Sequence, residues 1–66
     1  MDPKYPHVHV DLIGEDGNAF SILVRVTKAL RRAGVPQKDI TAFTEEATSS
    51  DYDHLLQTVV ATVSTD

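Results

Sequence analysis

An apolar repeat, bounded at both ends by residues that terminate helices, sets the architecture of this chain. Its apolar side chains recur at intervals of three and four residues, which places them on one side of a helix: Ala19, Ile22, Val26, Ala29, Leu30 and Ala33. Asn18 or Asp16 can cap the N-terminus of that helix through its side-chain oxygen. Gly34 supplies the left-handed residue that commonly follows a helix. The pattern predicts a central helix from about Asn18 to Ala33.

The apolar surface of this helix is wider than a single stripe, because Phe20, Leu23 and Val24 extend it. A helix with so wide an apolar surface is usually covered on more than one side. The chain has 66 residues and no cysteine, so its core is thin and no disulfide supports it. We therefore predict that Phe20, Leu23 and Val24 form an interaction surface for a protein partner or a second copy.

Alternating residues ahead of the helix predict a half-buried strand. Val8, Val10 and Leu12 share one face, and the polar residues between them share the other. Gly14–Asn18 has the composition of a turn. Two prolines keep residues 1–6 extended, which predicts a flexible arm. Residues 1–66 are expected to form one small domain.

The second half of the chain predicts two further helices. Pro36 suits the first position of a helix, whose apolar stripe is Ile40, Phe43 and Ala47. Ser50 to Asp53 match a capping box ahead of a third helix, which we expect to end near Val60 or Ala61. Its apolar series is Tyr52, Leu55, Leu56, Val59, Val60 and Val63.

The last residues are rich in β-branched side chains, which favour strands. The expected fold is therefore α+β, with one N-terminal strand, three helices and a short C-terminal strand that pairs with the first. A rival interpretation makes Ile40–Thr48 and Leu55–Thr65 the two strands of a hairpin. The first half, a strand, a turn, a helix and an Ala-Gly-Val end, resembles the opening of small ligand-sensing ACT-type domains, whose order is β-α-β-β.

Two phrases also resemble a group of small uncharacterised bacterial proteins: Gly14–Phe20 and Asp51–Thr58, with Leu30–Pro36 between them. The resemblance covers roughly Val8 to Thr58. It departs at Val24, where that group has glycine, and at the C-terminal end, which is more polar and aromatic in the group. No activity is assigned to the group, so the resemblance implies no catalytic residue, cofactor or partner.

Basic side chains are concentrated on the central helix, where Arg25, Lys28 and Arg32 share one face. Such a stripe can contact nucleic acid, which is the alternative function we consider. Two simpler explanations are favourable interaction with the helix dipole and pairing with acids of the second helix, which are Asp39, Glu45 and Glu46. The formal net charge of -4 argues against general binding to phosphate backbones.

His7 and His9 lie two residues apart, so both imidazoles project from the same face of a strand. That spacing occurs in metal sites, but a site needs three or four converging ligands. A solvated strand face explains the pair more simply. We predict no metal site and no cofactor, with His7 and His9 as the weak candidates.

Ser50, Asp53 and His54 contain the residue types of a hydrolase but fit a helix cap better. A chain this short can hardly enclose a ligand-sized pocket, so we predict no catalysis.

The N-terminus lacks the apolar segment of a secretory signal, and no apolar run is long enough to span a membrane. We expect a small cytoplasmic accessory or regulatory protein that acts by protein contact, as a homodimer or with another protein.

Overall fold

The fold was analysed in a computed structural model that describes residues 2–12 and 17–65. The elements in chain order are β1 (Tyr5–His9), α1 (Ala19–Arg32), α2 (Gln37–Ala47), α3 (Tyr52–Thr62) and β2 (Val63–Ser64). The predicted α+β fold is confirmed, including the short C-terminal strand. The rival hairpin is wrong, because the segments it requires as strands, Ile40–Thr48 and Leu55–Thr65, lie mostly in α2 and α3.

The ends of α1 agree with the caps read from the sequence. The Asn18 side chain accepts hydrogen bonds from the backbone N–H groups of Phe20 and Ser21, at 2.9 and 3.4 Å. Those two donors have no partner inside the helix. At the other end Gly34 has a φ of 84°, a conformation that costs glycine little. Of the predicted turn Gly14–Asn18, the first three residues lie outside the described residues.

The starts of the other two helices are each shifted by one residue. Pro36 is the N-cap of α2 and not its first helical residue. Asp51 caps α3, where the capping box placed Ser50; the Asp51 carboxylate accepts from the His54 backbone N–H at 2.9 Å. Aspartate caps a helix as well as serine does, so α3 begins one residue later than predicted and is capped by the same kind of hydrogen bond.

The two strands form a parallel pair, with Tyr5 opposite Val63 and His9 opposite Ser64 and an irregularity between these positions. The Lys4 N–H donates to the Ala61 carbonyl at 2.9 Å, and the Val10 N–H donates to the Ser64 carbonyl at 2.8 Å. The chain passes from α3 into β2 without a loop, because Val63 is the C-cap residue of the helix and already has an extended backbone.

Both ends of β1 differ from the prediction, which began the strand at His7 and continued it to Leu12. Tyr5 and Pro6 belong to β1, not to the predicted flexible arm. Proline is tolerated there because the sheet has two strands and each has only one strand partner. The strand ends at His9 because β2 has only two residues to pair with.

The core draws on all five elements, and within the described residues every buried side chain is apolar. It consists of Val8, Val10, Ile22, Val26, Leu30, Ile40, Phe43, Ala47, Leu55, Val59 and Val63. The largest fully buried side chains come from α1, α3 and β2: Leu30, Val26, Val59 and Val63. The predicted stripe of α2 is therefore confirmed as core. In α1 the larger residues of the stripe are buried and Ala19 and Ala29 pack against the core, whereas Ala33, the C-cap residue, is exposed.

Candidate functional site

The predicted interaction surface on α1 is largely open to solvent. Phe20 is 73% exposed and Val24 is 45% exposed, while Leu23 is half-buried and lies against the core. Phe20 and Val24 are one helical turn apart, so they are neighbours on the same side of α1. We call these three residues the apolar patch.

The third helix also exposes apolar side chains, which corrects the predicted stripe. Leu55, Val59 and Val63 are buried, whereas Tyr52 and Val60 are 43% and 53% exposed. Val60 lines an open groove of about 490 Å³ together with Asp2, Leu56, Gln57 and Ala61. The apolar stripe of α3 is therefore wider than the surface that the core covers.

Tyr52 connects the start of α3 to the start of α1. Its hydroxyl donates to the carbonyl of Gly17 at 2.5 Å. Gly17 directly precedes Asn18, the cap of α1, so the N-terminal ends of α1 and α3 lie side by side. A partner at the start of α1 would therefore also be near the start of α3.

A second surface lies between α1 and β1. Two adjoining depressions of about 300 and 320 Å³ share His9, Ala29 and Arg32. The remaining lining residues are His7, Val8, Val10, Asp11, Arg25, Lys28 and Ala33. We call this surface the basic groove, because all three cations of the predicted basic stripe line it.

The contacts in the basic groove divide its charges into two groups. Arg25 donates to the Asp11 backbone carbonyl at 2.6 Å, and the Asp11 carboxylate contacts His9 Nε2 at 2.8 Å. Lys28 and Arg32 are exposed and make no hydrogen bond or ion pair in the described part of the chain. One end of the groove thus has internal partners, and the other end presents two cations to solvent.

The expected pairing of these cations with acids of α2 is not found among residues 2–12 and 17–65. Glu46 instead contacts His54 of α3, with 2.6 Å between its carboxylate oxygen and the imidazole Nε2. This contact joins α2 to α3 across their surface. It also places His54 half-buried beside a neighbouring helix.

The candidate metal and catalytic residues are not assembled into a site. Within the described residues, no group of three or more metal-ligating side chains lies close enough to hold an ion, and His9 is next to a single carboxylate, that of Asp11. No hydrogen bond in this part of the chain joins Ser50 or Asp53 to His54.

Comparison of the chain with protein-family models, curated proteins and solved structures gave no significant match. In the described residues, no helix has both the length and the apolar character needed to cross a membrane. The two surfaces of α1 are therefore the features from which we infer a function.

Sequence reasoning identified the apolar patch and the cations of the basic groove, but missed the residues that lie beside them. The contact of Tyr52 with Gly17 spans 35 positions, and no local pattern indicates it. The exposure of Val60 had a weak signal, because Tyr52, Leu56 and Val60 are spaced by four and form one edge of the apolar stripe.

Proposed function

We propose that this protein acts by binding another protein through the apolar patch of α1. The observation that carries the proposal is the exposure of Phe20, 73% of whose surface is open to solvent at the start of a well-capped helix. Large aromatic side chains in this position are typical of residues that anchor protein interfaces.

The two exposed members of the patch can contribute to the free energy of binding. Complete burial of a phenylalanine or valine side chain contributes roughly 1.5–3 kcal/mol relative to exposure. Phe20 and Val24 retain 73% and 45% of that exposure, so a partner that covers both gains roughly 2–3 kcal/mol from them. Additional area is available nearby, because Tyr52 is 43% exposed and contacts Gly17 beside the same helix end.

The proposal includes no catalytic step. His54, the residue of the suggested triad best suited to act as a base, contacts Glu46 and supports the junction of α2 with α3. Ser50 lies immediately before the cap of α3. A role in the cytoplasm as an accessory or regulatory protein, as expected from the sequence, is part of the same proposal.

Site-specific photo-crosslinking in the native host tests this function. A benzophenone amino acid at position 20 should crosslink to one discrete protein species. The same group at Lys38, an exposed position on α2, is the matched control and should not. A crosslink between two copies would identify the partner as a second copy of this chain. Equal crosslinking from both positions, or none from position 20, would refute the role of the patch.

Sedimentation velocity across a wide concentration range then separates self-association from binding to a different protein. If the partner is a second copy, Phe20→Ser should shift the monomer–dimer equilibrium toward monomer. Val60→Ser, which replaces another exposed apolar side chain on α3, is the control. An equal effect of the two substitutions would mean that non-specific hydrophobic association, and not the patch, causes self-association.

A further inference from the structure

We propose that the basic groove between α1 and β1 binds an extended acidic peptide segment. The proposal deepens the proposed function in one respect, since it also takes the partner to be a protein. It rests on a different set of residues, of which Lys28 and Arg32 are the decisive pair.

The groove differs in charge from the rest of the chain. The chain has ten acidic and six basic side chains, for a formal net charge of -4. The groove reverses that balance, because its three cations Arg25, Lys28 and Arg32 face one acid, Asp11, among the described residues that line it. A local reversal of sign raises the concentration of anionic groups at that surface.

Contacts within the chain neutralise only part of the groove. The Asp11 carboxylate contacts His9, and the Asp11 backbone carbonyl accepts a hydrogen bond from Arg25. Lys28 and Arg32 have no such partner among the residues that the structure describes. Their side chains are also exposed, so they can bind carboxylates without first breaking an internal contact.

The spacing of these two cations matches that of alternate residues in an extended peptide. Lys28 and Arg32 are four residues apart on a helix, which separates them by about 6 Å along its axis. Alternate residues of an extended chain are about 6.6 Å apart and project to the same side. Two carboxylates on alternate residues of an extended segment therefore match the two cations. The other wall of the groove is β1, where His7 adds an imidazole; the imidazole of His9 already contacts Asp11.

The same observations disfavour a nucleic acid as the ligand. Binding to a phosphate backbone gains affinity from each cation that neutralises a phosphate. Of the three groove cations, only Lys28 and Arg32 lack an internal contact with the described residues, and the net charge of the whole chain repels a long polyanion. A short ligand with two carboxylates at the correct spacing fits the groove better.

Fluorescence anisotropy with a dye-labelled hexapeptide of alternating glutamate and threonine tests the proposal. The peptide should bind at low salt, and the same peptide with glutamine in place of glutamate should not. The K28E/R32E double variant should weaken binding by roughly tenfold or more, because two attractions become repulsions. Binding should also be lost at about 1 M salt, where the screening length is about 3 Å.

The matched control is R31E/K38E, which changes the net charge by the same amount at two exposed positions outside the groove. It should retain most of the binding, and circular dichroism should show both double variants folded. Equal losses in the two double variants, equal binding of the glutamine peptide, or tighter binding of an oligothymidine of equal charge would each overturn the proposal.

The Phe20→Ser variant keeps the failures of the two proposals distinguishable. It removes the anchor of the apolar patch and leaves the groove unchanged, so it should bind the acidic peptide with wild-type affinity. A failed crosslink from position 20 with intact peptide binding would refute the proposed function alone. The converse result would refute the groove alone.

Discussion

Replacement of Leu30 by alanine tests the division of α1 into a buried and an exposed face. Leu30 is 0% exposed and belongs to the group of largest fully buried side chains. Leucine-to-alanine substitutions at such positions cost roughly 2–5 kcal/mol, since a cavity remains after the loss of the buried atoms. A domain of 66 residues has a total unfolding free energy of roughly 3–10 kcal/mol. Leu30→Ala therefore removes a large share of the stability.

Urea unfolding followed by far-ultraviolet circular dichroism measures this loss. The slope for a small domain is about 1 kcal/mol per molar urea, so the midpoint should fall by roughly 2 M or more. Phe20→Ala on the same helix is the control. Phe20 is 73% exposed, and alanine has a helix propensity at least as favourable, so its unfolding free energy should change by no more than about 0.5 kcal/mol.

Two results would refute this reasoning. A midpoint for Leu30→Ala within about 0.5 M of the wild type would mean that the position is not part of a well-packed core. A loss for Phe20→Ala equal to that for Leu30→Ala would mean that Phe20 is buried in solution. The second result would also remove the basis for the apolar patch as a binding surface.

Substitutions that disturb three further local features can be compared through the unfolding free energy. Asn18→Ala removes the cap that accepts from two backbone N–H groups and should cost about 1 kcal/mol, whereas Asn18→Asp should cost little. His54→Ala breaks the exposed contact with Glu46, and a double-mutant cycle with Glu46→Ala should give a coupling of about 0.2–1 kcal/mol; zero coupling would contradict the contact. Gly34→Ala should cost about 1–2 kcal/mol through its positive φ alone, because nothing lies within 4 Å of the added Cβ, and Gly34→Asn should cost less.

The helices could be predicted from sequence because local signals decide them. The repeat from Ala19 to Leu30 is periodic and is bounded by Asn18 and Gly34, so propensity, periodicity and caps agree. The C-terminal strand was also predictable, since β-branched residues follow the last helical turn and a single N-terminal strand requires a partner.

The burial of α3 and the assembly of the groove could not be read from the sequence. Tyr52 and Val60 belong to the same apolar stripe as Leu55 and Val59, yet they remain 43% and 53% exposed. Which part of a wide stripe is covered depends on where the neighbouring elements lie, and no local pattern encodes that. The groove likewise requires β1 to run beside the basic face of α1, a tertiary arrangement that joins residues far apart in sequence.

Pairing of β1 with β2 has a consequence for the order in which the molecule can form. Tyr5 and Val63 are opposite each other, so nearly the whole chain is a loop between them, and closing a loop of that length costs roughly 3–4 kcal/mol in chain entropy. The helices can form from local contacts beforehand, but the first strand cannot pair until the last helix has been made. During synthesis β1 leaves the ribosome before the three helices and β2, yet it can pair only after β2 has been made. Until then Val8 and Val10 have no β2 beside them, and apolar residues on an unpaired strand promote aggregation.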